Sequence, residues 1–567
     1  MSDQKNLFLA LALSLVILIG FDYLTPRPQP PAQEAEQTDL TPHPDAGLSS
    51  FGPSVEYVSR ADALQNSPRV RIDTPSLSGS LSLKGGRIDD LTLKDYRIHA
   101  DPTAPNIKLL HPKGSQSPYY AEFGWVSTSS DQSILLPNAD TLWRSSADTL
   151  TDTTPIVLSW DNGHGLTFRR TIRVDQDFLF TITDSVQNNR NTEITLFPYG
   201  LIARGSTPRT EGFYILHEGP LGVLEGALKE VTYQDLKEEK LSEYNSVGGW
   251  LGITDKYWLT AIDLPQQTES KVRFLYSGQG QDRYQTDFLG AAQTIAPNQE
   301  VRFSTNFFAG AKKVSLLDRY TADQNIDRFD LAVDFGWFYF LTKPFFLALQ
   351  FLNGFLGNFG LAILAFTVVL RIILYPLANK SYQAMNRMKV LQPKIKALQE
   401  RFQDDRARMQ QEMMTLYREE KINPLAGCLP ILIQIPVFFA LYKVLFVSLE
   451  MRHAPFYWFI QDLSAPDPSN VFTLFSLLPW SPPSFLHLGI LPIIMGLTMW
   501  IQQKLNPAPT DPIQAKVMTF LPIIFTFMLA SFPAGLVVYW TWNNILSIAQ
   551  QWSIMRRHEP SSALGAR

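Results

Sequence analysis

The chain changes its hydrophobic rhythm as it goes. It opens on one continuous apolar run, KNLFLALALSLVILIGFDYL, long enough to cross a bilayer. That run ends in FDYLTPRP rather than in a small-x-small cleavage site, so residues 1–24 read as an uncleaved membrane anchor. Residues 25–56 then hold seven prolines among Gln, Glu and Ser, the composition of an extended tether.

Beyond the tether the period falls to two. In LSGSLSLKGGRIDDLTL, Leu77, Leu81 and Leu83 precede a turn at Gly85-Gly86, and Ile88, Leu91 and Leu93 resume after it. Similar runs follow: SILL, PIVLSW, LTFRRTIRV, FLFTITDSV, TEITLFPYGLIA, KVRFLYS and VRFSTNFFAG, with a helical patch at LKEVTYQDLKEEKL. Residues 57–325 therefore predict a single large β-sandwich.

The remainder is helical and mostly apolar. Residues 335–357 predict an apolar helix lying along the membrane interface, with Gly354, Gly357 and Gly360 marking a break before a second span at 358–378. Residues 379–424 predict a polar helical hairpin. Its stripe runs Met385, Met388, Leu391, Ile395, Leu398, Phe402, turns at Asp404-Asp405, and resumes at Met409, Met413 and Leu416. Further spans are predicted at 426–449, 486–505, 517–532 and 535–555, with an aromatic and proline-rich loop at 450–485 and a tail at 556–567. The fold class is a multi-pass α-helical membrane protein of six spans carrying a large β-domain.

Charge orients this arrangement. Residues 25–330 hold 29 Lys+Arg against 39 Asp+Glu, whereas residues 331–567 hold 19 against 12. The hairpin carries ten Lys+Arg, the 504–516 connection carries Lys504 and Lys516, and the tail opens with Arg556 and Arg557; the 450–485 loop has only Arg452. By the positive-inside rule the hairpin, the connection and both termini face the cytoplasm, and the β-domain faces outward. The single cysteine, Cys428, permits no intrachain disulfide and reads as packing. No nucleotide or metal motif is present, so no cofactor is expected.

Candidate chemistry lies inside the spans. Arg371 cannot be deprotonated, and a central bilayer position costs it about 2.5–3.5 kcal/mol. It must snorkel, find a partner or line a wet cavity. Thr367 shares its face one turn earlier, Gln434 sits mid-span between Pro430 and Pro436, and the last span reads Tyr539, Trp540, Asn543, Asn544, Ser547, Gln550, Gln551. Asn and Gln in such a stripe can equally be hydrogen-bonding glue between helices. Two features favour a cavity. The five C-terminal spans contain no carboxylate to pair with Arg371. The 517–532 segment would also span only about 24 Å against about 30 Å of hydrocarbon. Lys443, near the outer end of its span, is expected to snorkel outward.

LQPKIKALQERFQDD, QQEMMTLYREEKINPLAGCLPILIQIPVFFALY, RHAPFYWFIQDLSAPDP and MTFLPIIFTFMLASFPAGLVVYWTWNNIL closely resemble the YidC/Oxa/Alb insertase family, and LKGGRIDDLTLKDY resembles the periplasmic domain of its Gram-negative type. The resemblance covers nearly the whole chain. It implies a bacterial inner-membrane insertase and chaperone for nascent membrane proteins, acting alone or with the Sec translocon and its accessory proteins. It implies a periplasmic β-supersandwich like sugar mutarotases and a hydrophilic groove open to cytoplasm and lipid. The groove's single positive charge corresponds to Arg371, with Thr367 beside it and Gln434, Tyr539, Trp540, Asn543 and Asn544 as further groove positions. Ribosomal RNA and the translocon are candidate partners for the basic hairpin, and a merely solvated hairpin fits the sequence equally well. Membrane lipids are the remaining partner; no small-molecule substrate is implied. A transporter would call for inverted repeats or an intramembrane carboxylate, and neither is visible. An outward-facing carbohydrate enzyme would need a positioned His and carboxylate, and His99, His111, His164 and His217 sit in no recognisable motif.

Overall fold

The computed structural model describes residues 58–127, 134–210, 216–278, 281–336, 338–402, 405–420, 429–457, 459–473, 488–506 and 512–557. The expected anchor at 1–24, the tether at 25–56 and Cys428 lie outside the described residues, as do parts of the 379–424 hairpin, the 450–485 loop and the tail.

Alternating strands build two sheets, of 11 and 9 strands among the described residues. Leu77–Ser82 pairs antiparallel with Arg87–Arg97, and Gly85 and Gly86 make the reversal at φ +76° and +61°, where side-chain-bearing residues are strained. One face of each sheet supplies the shared core, in which Trp250, Phe168, Phe178, Phe180 and Phe307 are fully buried. Two local readings need correction. Residues 134–136 of SILL form no strand, although Ile134 is buried; Pro137 follows and offers no N–H to a ladder. The helical patch shrinks to Tyr233–Glu239 because Thr232 caps its start by accepting from the Asp235 N–H, and Lys240 ends it at φ +68°. Its flanks, Ala227–Glu230 and Leu241–Val247, are strands.

Helices that follow the sheets are α1 (Val314–Asp323), α2 (Tyr339–Leu356), α3 (Phe359–Ile373), α4 (Tyr375–Arg401), α5 (Arg406–Glu419), α6 (Leu429–Val447), α7 (Ile490–Leu505), α8 (Pro512–Leu529) and α9 (Ala534–Arg557). Gly357, at φ +69°, closes α2. On α2, Phe345, Phe346 and Leu349 are buried, while Phe340, Phe351 and Phe355 are 73%, 77% and 83% exposed, so the helix is apolar on both faces. The segment expected as one span over 358–378 is made of two helical pieces that break at Leu374, with α3 and α4 meeting at a 68° bend. Pro376 is the cause: its ring lacks the N–H that Ile372 would need and crowds that carbonyl, so a new helix starts with Pro376 in its first turn. Helix α8 begins five residues before the expected 517 and ends three before 532. Among the described residues no single helix is long and apolar enough to cross a membrane; the bent α3–α4 pair is, by length and composition.

The β-domain meets the helices through charge. Lys443 does not snorkel into solvent: its Nζ pairs with Asp334 Oδ1 at 2.8 Å and also donates to the Asp334 carbonyl. Asp334 Oδ2 accepts from the His217 N–H at 3.0 Å. Lys343 on α2 bridges Asp318 and Asp330 at 2.9 and 2.8 Å. Arg452 donates to the Arg97 carbonyl and stacks over Trp258, and Lys256 lies 3.7 Å from the Phe446 ring centroid. These contacts join the β-domain and the segment that follows its last strand to the start of α2, the C-terminal end of α6 and the loop after α6.

Burial pushes the His217 imidazole down to about 4, against the Pro220 carbonyl and Asp334, which favour its charged form; Lys312 opposes that form. The unfolded chain takes up this proton below about pH 6.5 and the folded one resists it. His217 thus contributes stability above that pH, and the contribution is lost as pH falls toward 4. In detergent, the drop in Tm between pH 7 and 4.5 should be smaller by about 2–4 °C in His217→Gln than in the wild-type chain. An identical drop would remove His217 as a source of acid sensitivity.

Candidate functional site

Arg371 lies in the last turn of α3, with α9 alongside. The two helices are tied by the Trp542 indole, which donates to the Leu364 carbonyl at 3.2 Å. From α9, Asn543 receives the guanidinium: Nε and Nη2 donate to Asn543 Oδ1 at 3.0 and 2.6 Å, and Nη2 also donates to the Asn543 carbonyl at 3.1 Å and to Ser547 Oγ. The Ser547 hydroxyl donates to the same carbonyl at 2.7 Å. The acceptors are an amide, a peptide carbonyl and a hydroxyl, so the cation is hydrogen-bonded without being neutralised. Arg371 is half-buried, whereas Asn543 and Ser547 are buried.

A cavity of about 40 Å³ opens beside the guanidinium, room for roughly two or three waters. Its polar lining is Thr367 and Arg371 from α3, Gln434 from α6, and Tyr539 and Asn543 from α9; Leu370, Leu374 and Leu377 complete the wall. The Thr367 hydroxyl is satisfied within its own helix, donating to the Ile363 carbonyl at 2.6 Å. Five of the seven positions expected from sequence are thus brought to one place. Trp540 and Asn544 are not, because each stands about 100° round the helix from Tyr539 and Asn543. Trp540 wedges between Phe438 of α6 and Phe525 of α8, with ring centroids 4.7 and 5.4 Å away. Asn544 Nδ2 donates to Thr498 Oγ1 of α7 at 3.2 Å, and Gln551 reaches Asn506 in the same manner at 3.1 Å. For these two amides the reading as interhelical glue holds.

Ser547 was legible only as part of a polar stripe; its spacing of four from Asn543 is the signal that places both on the Arg371 face. On the other side of Trp540, α8 turns Phe520, Ile523, Ile524 and Phe527 outward, and α6 exposes Ile435 and Phe439. A large apolar surface therefore lies near the cavity that holds Arg371. The four histidines of the β-domain do not converge: His99 and His164 sit in separate loops, His111 bridges Tyr119, and His217 faces Pro220.

Residues 69–348 match the family described as the YidC periplasmic domain, and residues 351–561 the family described as the 60Kd inner membrane protein. The chain is 51% identical to the membrane protein insertase YidC of Methylobacterium nodulans, over 98% of this chain and 96% of that one. It is 49% identical to that of Granulibacter bethesdensis, over 98% of each. Among solved structures, an active YidC insertase with its first transmembrane domain resolved is 16% identical over 85% of this chain and 92% of its own, with a TM-score of 0.36. A galactose mutarotase-like protein from Lactobacillus casei is 9% identical over 42% of this chain and 99% of its own, with a TM-score of 0.29.

The division between cavity and glue has a direct consequence. Asn544→Leu removes the bond to Thr498, whose own hydroxyl remains satisfied by the Met495 carbonyl. It should cost about 0.6 kcal/mol of stability and leave activity at the wild-type level. A large functional defect in a variant of near-normal Tm would place Asn544 in the working site after all.

Proposed function

Because the chain belongs to the YidC family of membrane-protein insertases, an inner-membrane family, we propose that it lodges the polar tail of a nascent membrane protein against Arg371 while the client's apolar span moves into lipid. The observation that carries this reading is a guanidinium held only by neutral acceptors at the edge of a cavity that Thr367, Gln434, Tyr539 and Asn543 also line. An acidic client residue crossing the hydrocarbon alone costs about 2.5–3.5 kcal/mol, while each Leu, Ile, Phe or Val of its span returns about 0.3–0.6 kcal/mol. Ten such residues roughly balance one or two charges. Water, Arg371 and the amides of Gln434 and Asn543 lower the tail's share of that cost, which is sufficient for passage without ATP.

In this proposal the anchor at 1–24 and the segments around α3, α6, α7, α8 and α9 are the six spans, with both termini cytoplasmic and the β-domain periplasmic. The exposed phenylalanines of α2 rest on the outer interface. The client's span leaves past α6 and α8, whose outward faces are apolar. The α4–α5 hairpin closes over Leu391 and Ile395 and keeps its basic residues for the ribosome or the Sec translocon. Folding and assembly of clients, alone or with the translocon, is the wider role this reading gives the protein.

Arg371→Ala should lower insertion of short, Sec-independent clients with acidic translocated tails in reconstituted vesicles, by about tenfold per acidic residue engaged. Arg371→Lys keeps the charge and should retain most activity. Equal insertion by the wild-type and alanine proteins would sink the proposal.

A further inference from the structure

The β-domain supplies an internal standard for how this chain seats a buried arginine. Arg170 directs Nε and Nη2 at the two carboxylate oxygens of Asp184, at 2.7 and 3.1 Å. Arg273 does the same with Asp287, at 3.0 and 3.1 Å. Arg87 directs Nε at Glu122, at 2.8 Å. In each case a carboxylate takes the side edge of the guanidinium, the geometry of a charge-assisted pair.

Arg371 offers the same edge and receives something different. Its Nε and Nη2 converge on Asn543 Oδ1, so an amide occupies the counter-ion's seat. Asn and Asp are nearly isosteric, and the Asn543 Nδ2 has no hydrogen-bond partner among the described residues that would demand an amide. Packing therefore does not explain the choice; charge does. The Arg371 Nη1 also has no partner among the described residues and is left for an incoming anion. No carboxylate among the described residues lines the cavity.

We propose that Asn543 is the selectivity-determining residue of the cavity: it positions Arg371 while leaving its charge uncompensated, so that a client's carboxylate becomes the missing counter-ion. This inference rests on the insertase reading of Arg371. It makes Asn543 a positioning residue whose neutrality, rather than its bulk, sets the preference for acidic tails.

The test uses the full chain in vesicles and two clients that differ only in carrying Asp or Asn in the translocated tail. The readout is the ratio of acidic-tail to neutral-tail insertion. Asn543→Asp seats an internal counter-ion and should bring the ratio down to that of Arg371→Ala. Cancelling one unit charge at contact distance from the client's carboxylate, at the effective dielectric of a protein surface, changes that ratio at least about tenfold. Asn543→Ala keeps the charge and should hold the ratio within about twofold of wild type. A melting temperature in detergent close to that of the wild-type chain reports intact folding of each variant, and the neutral-tail client serves only as the denominator of the ratio. A wild-type ratio in Asn543→Asp overturns the inference. So does an equal loss in the aspartate and alanine variants, which would make Asn543 merely structural. If Arg371→Ala itself keeps the wild-type ratio, the reading of Arg371 fails, and the inference falls with it for a different and recognisable reason.

Discussion

A guanidinium that cannot lose its proton, set among apolar helices, is the constraint around which the helical region is arranged. Something must replace its hydration, and the chain supplies this from α9: Asn543 through its side chain and carbonyl, and Ser547 through its hydroxyl. An ion pair would have done so more strongly, since a charged acceptor roughly doubles a hydrogen bond's strength. It would also have cancelled the charge. The arrangement makes sense if the field of Arg371 is meant to act on something outside the fold.

The β-domain works under the opposite rule. Three of its four buried arginines among the described residues, Arg87, Arg170 and Arg273, are each paired with a carboxylate, which cancels most of the field they would otherwise leave. The boundary between the two regimes lies at the junction, where Asp334 and Lys443 neutralise each other and Lys343 is shared by Asp318 and Asp330. There the charges hold one part of the chain to another. Inside the helices Arg371 is met by an amide, a carbonyl and a hydroxyl instead.

Much of this was legible because period and composition report burial directly. The alternation around Leu77–Leu93 and the Gly85-Gly86 turn translate into a strand pair, since one face of each strand must meet the core. Arg371 was conspicuous because a charge in an apolar run has few tolerable fates. Contacts distant in sequence were not legible. Nothing in the run ending at Val447 announces that Lys443 is captured by Asp334, 109 residues earlier. The polar stripe on α9 was visible as a set, but its division into a cavity edge (Tyr539, Asn543, Ser547) and a packing edge (Trp540, Asn544, Gln551) depends on which neighbour each edge meets. Helical phase separates the edges; only tertiary structure names them.

The bend at Leu374 belongs to the same logic. A helix end leaves its last carbonyls without intrahelical partners, carries partial negative charge and draws water. By ending α3 at Ile373, Pro376 puts Arg371 in that final turn, where a cation gains about 0.3–1 kcal/mol from the helix dipole. A straight helix through residue 378 would have kept those carbonyls bonded and left the guanidinium in mid-helix, away from any terminus. The proline and the arginine therefore form one device: the break makes a polar terminus within the helical bundle, and the cation is the side chain best suited to stand at it. Asn543 and Ser547 then complete from α9 what the terminus begins.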